Sequence, residues 1–252
     1  MSKRMKRTFK VTALAVALLA VYGPALAEGP ESSVSVGIGN WSNDRPQRGV
    51  FDGMRDSGAY GLLDADILKH DDATGTWLGL KARNLGLDNR EIKGEWLRQG
   101  DIGASLEYSR IPRDNPFTFN TGLQGIGTTT LRVPTPSITP GAGANVELGT
   151  VRDRYTAKFF KNLGVGLNFN VSFRNEDKDG TRHWGRGGAA EFAVEPINST
   201  IRLLEATLSY SRDRLQLSGG YYGTSYDNAN SMVTTSLTSG ASPYFLSLPL
   251  DN

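Results

Sequence analysis

The sequence predicts an all-β chain: an antiparallel up-and-down transmembrane β-barrel, of which about nine strands are present. Three observations predict it. Apolar and polar residues alternate through nine segments. Short and long connections take turns between those segments. Beyond the first residues, no run reaches the ~18 consecutive apolar positions that a spanning helix needs.

Residues 1–27 stand apart. Lys3, Arg4, Lys6, Arg7 and Lys10 form a basic stretch, Val11 to Val21 a short apolar core, and Ala25-Leu26-Ala27 a small-residue cleavage site. That is the plan of a secretory signal peptide, whose apolar run is too short to span a membrane. Its removal leaves 23 basic against 26 acidic residues, so the positive excess of the full chain belongs to the leader. No basic stripe of the kind nucleic acid requires remains. The chain has no cysteine, which excludes disulfides and covalent haem attachment through Cys-x-x-Cys-His. His70 and His183 each stand alone, as solvated loop residues do, whereas metal sites need clustered ligands.

The strands follow in order. Residues 33–41 (SVSVGIGNW) put Val34, Val36 and Ile38 on one face. Residues 59–69 set Leu63, Ala65 and Ile67 opposite Asp64 and Asp66. Residues 76–84 set Leu78, Leu80 and Ala82 against Lys81 and Arg83, and residues 90–98 set Ile92 and Trp96 against Glu91, Lys93 and Glu95. In residues 101–109, Ile102, Ala104, Leu106 and Tyr108 oppose Ser105 and Glu107. In residues 151–160, Tyr155, Ala157 and Phe159 oppose Arg152, Arg154 and Lys158. Residues 164–175 (GVGLNFNVSFRN) alternate throughout, Val165 to Phe173 apolar and Gly166 to Arg174 polar. Residues 201–211 set Leu204, Ala206, Leu208 and Tyr210 against Glu205, and residues 214–226 set Leu215, Leu217 and Tyr221 against Gln216 and Ser218. Successive side chains of a strand point to opposite faces, so each segment has one greasy and one wet side. A tilted strand of 9–11 residues crosses a bilayer. Tyr108, Trp96, Tyr155, Tyr210, Tyr221 and Tyr226 are candidates for the interfacial aromatic girdles.

The connections carry a second argument. Residues 70–75 (HDDATG), 98–101 (RQGD), 161–164 (KNLG) and 211–214 (SRDR) are tight turns, and long outer loops are expected at 111–149, 175–199 and 227–252. Outer-membrane barrels alternate in this way, with short periplasmic turns and long outer loops. With 33–41 as the first strand, every tight turn falls on the periplasmic side. An odd strand count and an ending in FLSLPLDN, rather than an aromatic-terminated strand, lead us to expect that residues 28–252 are the N-terminal part of a larger barrel. An open sheet in lipid would leave bare edges.

Residues 49–131 carry more than a pattern. GVFDGMRDSGAYGLLDADI, ARNLGLDNREIKGEWLRQGDI, YSRIPRDNPF and NTGLQGIGTTTL resemble the MtrB/PioB family of decahaem-associated outer-membrane barrels. The NLGLD-R…QG core at 84–100 and the Y…IP step at 108–112 are its most specific parts. The resemblance implies a barrel of more than twenty strands that sheathes a periplasmic decahaem c-type cytochrome, often with an extracellular multihaem cytochrome as a further partner. It implies an outer-membrane location and a non-enzymatic role, with haem carried by the partner cytochrome and no cofactor on this chain. Some members carry an N-terminal Cys-x-x-Cys; this chain has none.

In such a barrel the lumen-facing candidates for cytochrome contact are the cations Lys81, Arg83, Lys93, Arg152, Arg154, Lys158 and Arg174. The anions among them are Asp64, Asp66, Glu91, Glu95, Glu107 and Glu205. The plainer reading of each is a solvated residue in a cross-strand ion pair. Asp64 and Asp66 share a face, yet two carboxylates fall short of a hard-metal site. GRGG (185–188) lacks the strand-to-helix context of a phosphate cradle. No catalytic constellation is present. The alternatives are an ordinary porin or solute transporter, and an exported soluble β-sandwich.

Overall fold

The computed structural model describes residues 32–134, 139, 141–185, 192–237 and 246–250. The expected signal peptide and residues 186–188 lie outside the described residues. The strands are β1 (Ser33–Trp41), β2 (Gly58–Asp71), β3 (Thr76–Arg83), β4 (Glu91–Arg98), β5 (Ile102–Thr121) and β6 (Thr130–Val133). They continue with β7 (Ala144–Gly164), β8 (Leu167–Gly185), β9 (Phe192–Arg212), β10 (Leu215–Asn228), β11 (Met232–Leu237) and β12 (Leu246–Pro249). A nine-stranded sheet has the order β1-β2-β3-β4-β5-β7-β8-β9-β10, and each neighbouring pair in it is antiparallel. It does not close on itself: β1 and β10 are its edges. The nine strands are those the alternation predicts.

Their lengths differ from the expectation. β5 runs to Thr121, β7 starts at Ala144, β8 runs to Gly185 and β9 starts at Phe192, so much of the expected loops 111–149 and 175–199 is strand. Amphipathic alternation marks only the part of a strand with one face in an apolar medium. Where both faces meet water, backbone pairing continues without that pattern. The turn expected at 161–164 lies at Val165 and Gly166, both with positive φ (51° and 79°). Two central residues with positive φ make the tight hairpin turn whose twist matches that of the strands. Val165 is therefore a turn residue, not a wall position.

The register sorts the side chains into two faces. One cross-strand row on the apolar face reads Ile67, Leu80, Gly94, Leu106, Ala157, Phe173, Leu204, Gly223. The next reads Lys69, Leu78, Trp96, Ala104, Phe159, Val171, Ala206, Tyr221. This face is bare over most of its width: Leu106 is 70% exposed, and Leu78, Phe173, Leu204 and Leu208 are exposed too. Towards the long-loop end the apolar band closes on Tyr108 and Tyr155, whose rings lie 5.0 Å apart. From the row of Leu167 to the row of these tyrosines is eight residues along β8, about 26 Å at ~3.3 Å per residue, and less once tilted. That matches an outward apolar band ~25 Å tall. Trp96, Tyr210 and Tyr221 share this face; Tyr226 pairs with Ile201 and lies on the other, so its expected girdle role is corrected.

The band is covered in one place. At β2 and β3, Leu63, Ala65, Ile67 and Ala82 form a small buried core with Leu85 from the β3–β4 connection. A second cluster lies in the outer connections, where β6, β11 and β12 form a three-stranded sheet. β11 pairs with β6 in parallel, Thr234 opposite Thr130, and Leu131 and Val233 pack on Ala193 of β9.

Candidate functional site

Every charged residue singled out from the sequence falls on the second face. Asp64 and Asp66 lie there with Lys81, Lys93, Glu107 and Arg174. Arg83, Glu91 and Arg154 form the neighbouring row, with Arg152 beyond it. Glu95, Lys158 and Glu205 form the row on the opposite flank. This is the hollow side of the sheet: a cavity of about 520 Å³ opens on it, lined from β2 across to β9.

The charges are partly cross-paired. Lys81 Nζ lies 3.6 Å from Asp66, and Lys93 pairs with Glu95. Glu176, which the alternation did not single out, accepts from Arg152 at 3.0 Å and Arg154 at 2.8 Å. It is 9% exposed, the most enclosed carboxylate of the face. Nearby Lys178, beyond the apolar band, is pushed below its ordinary pKa, first by burial and then by the repulsion of Arg152 and Arg182. Arg83, Glu91, Glu107, Lys158, Arg174 and Glu205 make no ion pair among the described residues. Asp64 is turned to structure: its Oδ1 accepts the Asn84 N–H at 2.7 Å.

Sequence reasoning missed an apolar row on this same face. Trp77, Leu97, Gly103 and Phe160 are consecutive cross-strand partners next to the tight turns, with Leu68 one row away. A side chain at Gly103 would overlap the Phe160 ring. His70 is no solvated loop residue: it is the last residue but one of β2, with its ring stacked on Trp77 at 3.8 Å, and its Nδ1 contacts Asp72 at 2.9 Å. The signal was present in "TWL", where an aromatic sits one position off the Leu78–Leu80 face. His183 lies in β8, its ring 6.0 Å from that of Phe119.

The motif stretches converge at the other end of the sheet. Asn84 turns with φ 52°, and Leu85 N–H donates to Leu63 O at 3.0 Å, laying Leu85 on the β2–β3 core. Gly86 sits so close to the Gly61 carbonyl that any Cβ would overlap it. Asp88 N–H reaches Asp52 O at 3.3 Å, and Asp114 N–H reaches Val50 O at 2.9 Å. Arg55 is buried, its stem filling the notch beside Gly49. Its guanidinium lies 3.9 Å from Asp114 of β5 and 3.8 Å from Glu147 of β7. Residues 42–57 thus strap the β1–β2 edge across the 84–90 connection to β5 and β7. Among the described residues no three His, Cys, Asp or Glu side chains cluster as metal ligands.

Comparison with known proteins adds lineage to this geometry. The family profile of the outer membrane beta-barrel porins MtrB/PioB matches residues 41–252. Outer membrane protein MtrB of Shewanella baltica (strain OS185) is 25% identical over 220 residues, which cover 82% of this chain and 31% of that protein. The chain thus spans about a third of the length of that relative.

Proposed function

From a chain that belongs to the MtrB/PioB family of outer-membrane β-barrel porins, we propose the work of a sheath: a wall that holds a periplasmic multihaem c-type cytochrome across the outer membrane. In this reading residues 1–27 are the export leader, and residues 28–252 contribute strands to a larger barrel. Haem carries the redox chemistry, and a chain with no cysteine offers it no thioether attachment. The wall supplies insulation and position. It performs no catalysis.

One observation supports this most: the face behind the bare apolar band is a broad hollow surface of mixed charge, several of whose ions make no ion pair among the described residues. A protein surface can complete such ions; a stream of small solutes cannot do so lastingly. The cytochrome-contact candidates are Arg83, Glu91, Glu107, Lys158, Arg174 and Glu205, which make no ion pair among the described residues, ahead of the ions already paired there.

The test is purification of the complete barrel from outer membranes in mild detergent. A stoichiometric haem-staining partner is the expected result. A barrel that carries no haem protein and conducts ions freely in planar bilayers would instead be a porin or solute transporter.

A further inference from the structure

The cavity on the hollow face has an apolar floor in an otherwise wet wall. Trp77 and Leu97 are adjacent in one cross-strand row, Phe160 follows them across Gly103, and Leu68 borders the same cavity. Two features present rings by their faces. His70 stacks on Trp77 at an interplanar angle of 19°, and Phe160 lies over Gly103, which has no side chain to lift it. Water gains nothing from such a ledge, and covering apolar area is worth roughly 25 cal/mol per Å².

The rim identifies the kind of cover. Lys158, Ser172 and Glu205 are consecutive partners in the next row, which puts the two charges two strand spacings apart, about 10 Å. Neither makes an ion pair, with the other or with anything else, among the described residues. The covering body must bring an anion to Lys158 and a cation to Glu205, with apolar side chains one row nearer the tight turns, over β3 to β7. An uncharged solute has neither, and the lining is far wider than one solute, reaching from β2 to β9.

We infer that this ledge is the seat of the protein held in the lumen, taking an amphipathic segment whose apolar side chains lie on Trp77, Leu97 and Phe160 and whose opposite charges meet Lys158 and Glu205. The inference rests on the sheath reading and adds a position to it: the seat lies at the tight-turn end, the periplasmic mouth of the barrel. The segment enters there first, and the mixed-charge rows above it fix its rotation.

The test places a photo-crosslinking amino acid at Leu97, at Phe160 and, on the apolar face, at Leu106 of the complete protein in native membranes. A cross-linked, haem-staining species is expected from 97 and 160 and not from 106. A second arm compares Phe160→Asn with Phe160→Leu: the first should lower the recovered haem partner about tenfold at unchanged barrel yield, and the second should restore it. If the wild-type barrel holds its haem protein while 97 and 160 capture no protein, the seat is elsewhere and the sheath reading survives. If 97 and 160 capture a protein without haem, the occupant is wrong. If no haem protein accompanies the wild type, the sheath reading itself falls.

Discussion

Single residues mark where the chain is strained and where it is pinned. Val165 holds φ 51°, a region that costs an ordinary L-residue ~1–2 kcal/mol and a β-branched one at least that. Asn tolerates it, so Val165→Asn should raise the unfolding free energy by about 1 kcal/mol, read as a higher urea midpoint in lipid vesicles. Gly166→Ala should act oppositely: its φ is 79°, and an added Cβ would overlap the Ser211 carbonyl. The outer loop has a proton-sensitive pin. The Ser57 N–H donates to Asp44 Oδ1 at 2.7 Å, and that bond holds the carboxyl below its ordinary 3.8. A depressed carboxylate contributes its stabilisation fully above the unfolded value and loses it as pH falls through the folded one. Exchange protection of the Ser57 amide should therefore be flat above pH ~4 and drop below it, and Asp44→Asn should abolish that dependence.

At the scale of elements, Arg55 is the fastening of the 42–57 strap. Its removal takes one cation from Asp114, whose side chain is 19% exposed, and from Glu147. Breaking a buried pair costs ~3–5 kcal/mol, and the partial exposure of both carboxylates lowers that to about 1–2. Arg55→Leu should speed tryptic cleavage at Arg48 on intact cells several-fold while leaving the barrel in the membrane. The strap also explains what was legible. β1 to β5 and β7 to β10 could be read because their period-two pattern records an apolar medium on one side. The motif segments at 49–60, 84–90 and 108–114 could be recognised, but nothing in their spacing said that they meet. Their meeting rests on Asp88 with Asp52, Val50 with Asp114 and Arg55 with Glu147, contacts that only the closed-up sheet creates. β6 and β11 were illegible for the same reason: each is short, and they pair from positions about a hundred residues apart. The charged face could be read from alternation except for Glu176, which pairs with Arg152 and Arg154 beyond the alternating stretch of β8. The ledge of Trp77, Leu97 and Phe160 could not, because an apolar side chain on the wet face looks like noise until the register lines three of them up.

The whole molecule turns on which medium meets which face. Read as a soluble sandwich, the sheet would bury its apolar side against a second layer. Instead Leu106, Leu204, Leu208 and Leu217 are exposed, while the small patch under Leu85 is covered. A contiguous apolar surface of this breadth cannot stay in water, and lipid is the one solvent that needs no second layer. Lipid makes its own demand: β1 and β10 are the edges of the sheet, and an unpaired backbone group costs several kcal/mol in hydrocarbon, so in the membrane both edges must be paired, with each other or with further strands. The cysteine-free sequence gives a clean background in which to see both media at once. Single cysteines at neighbouring positions 106 and 107, 173 and 174, and 204 and 205, each carrying an environment-sensitive fluorophore in the complete reconstituted barrel, should divide by parity. Labels at 106, 173 and 204 should be quenched by brominated lipid and those at 107, 174 and 205 by iodide, with the second set shielded when the proposed cytochrome is bound. Iodide quenching at 106, 173 and 204 would put water where the register puts hydrocarbon, and the barrel reading of this sheet would have to be abandoned.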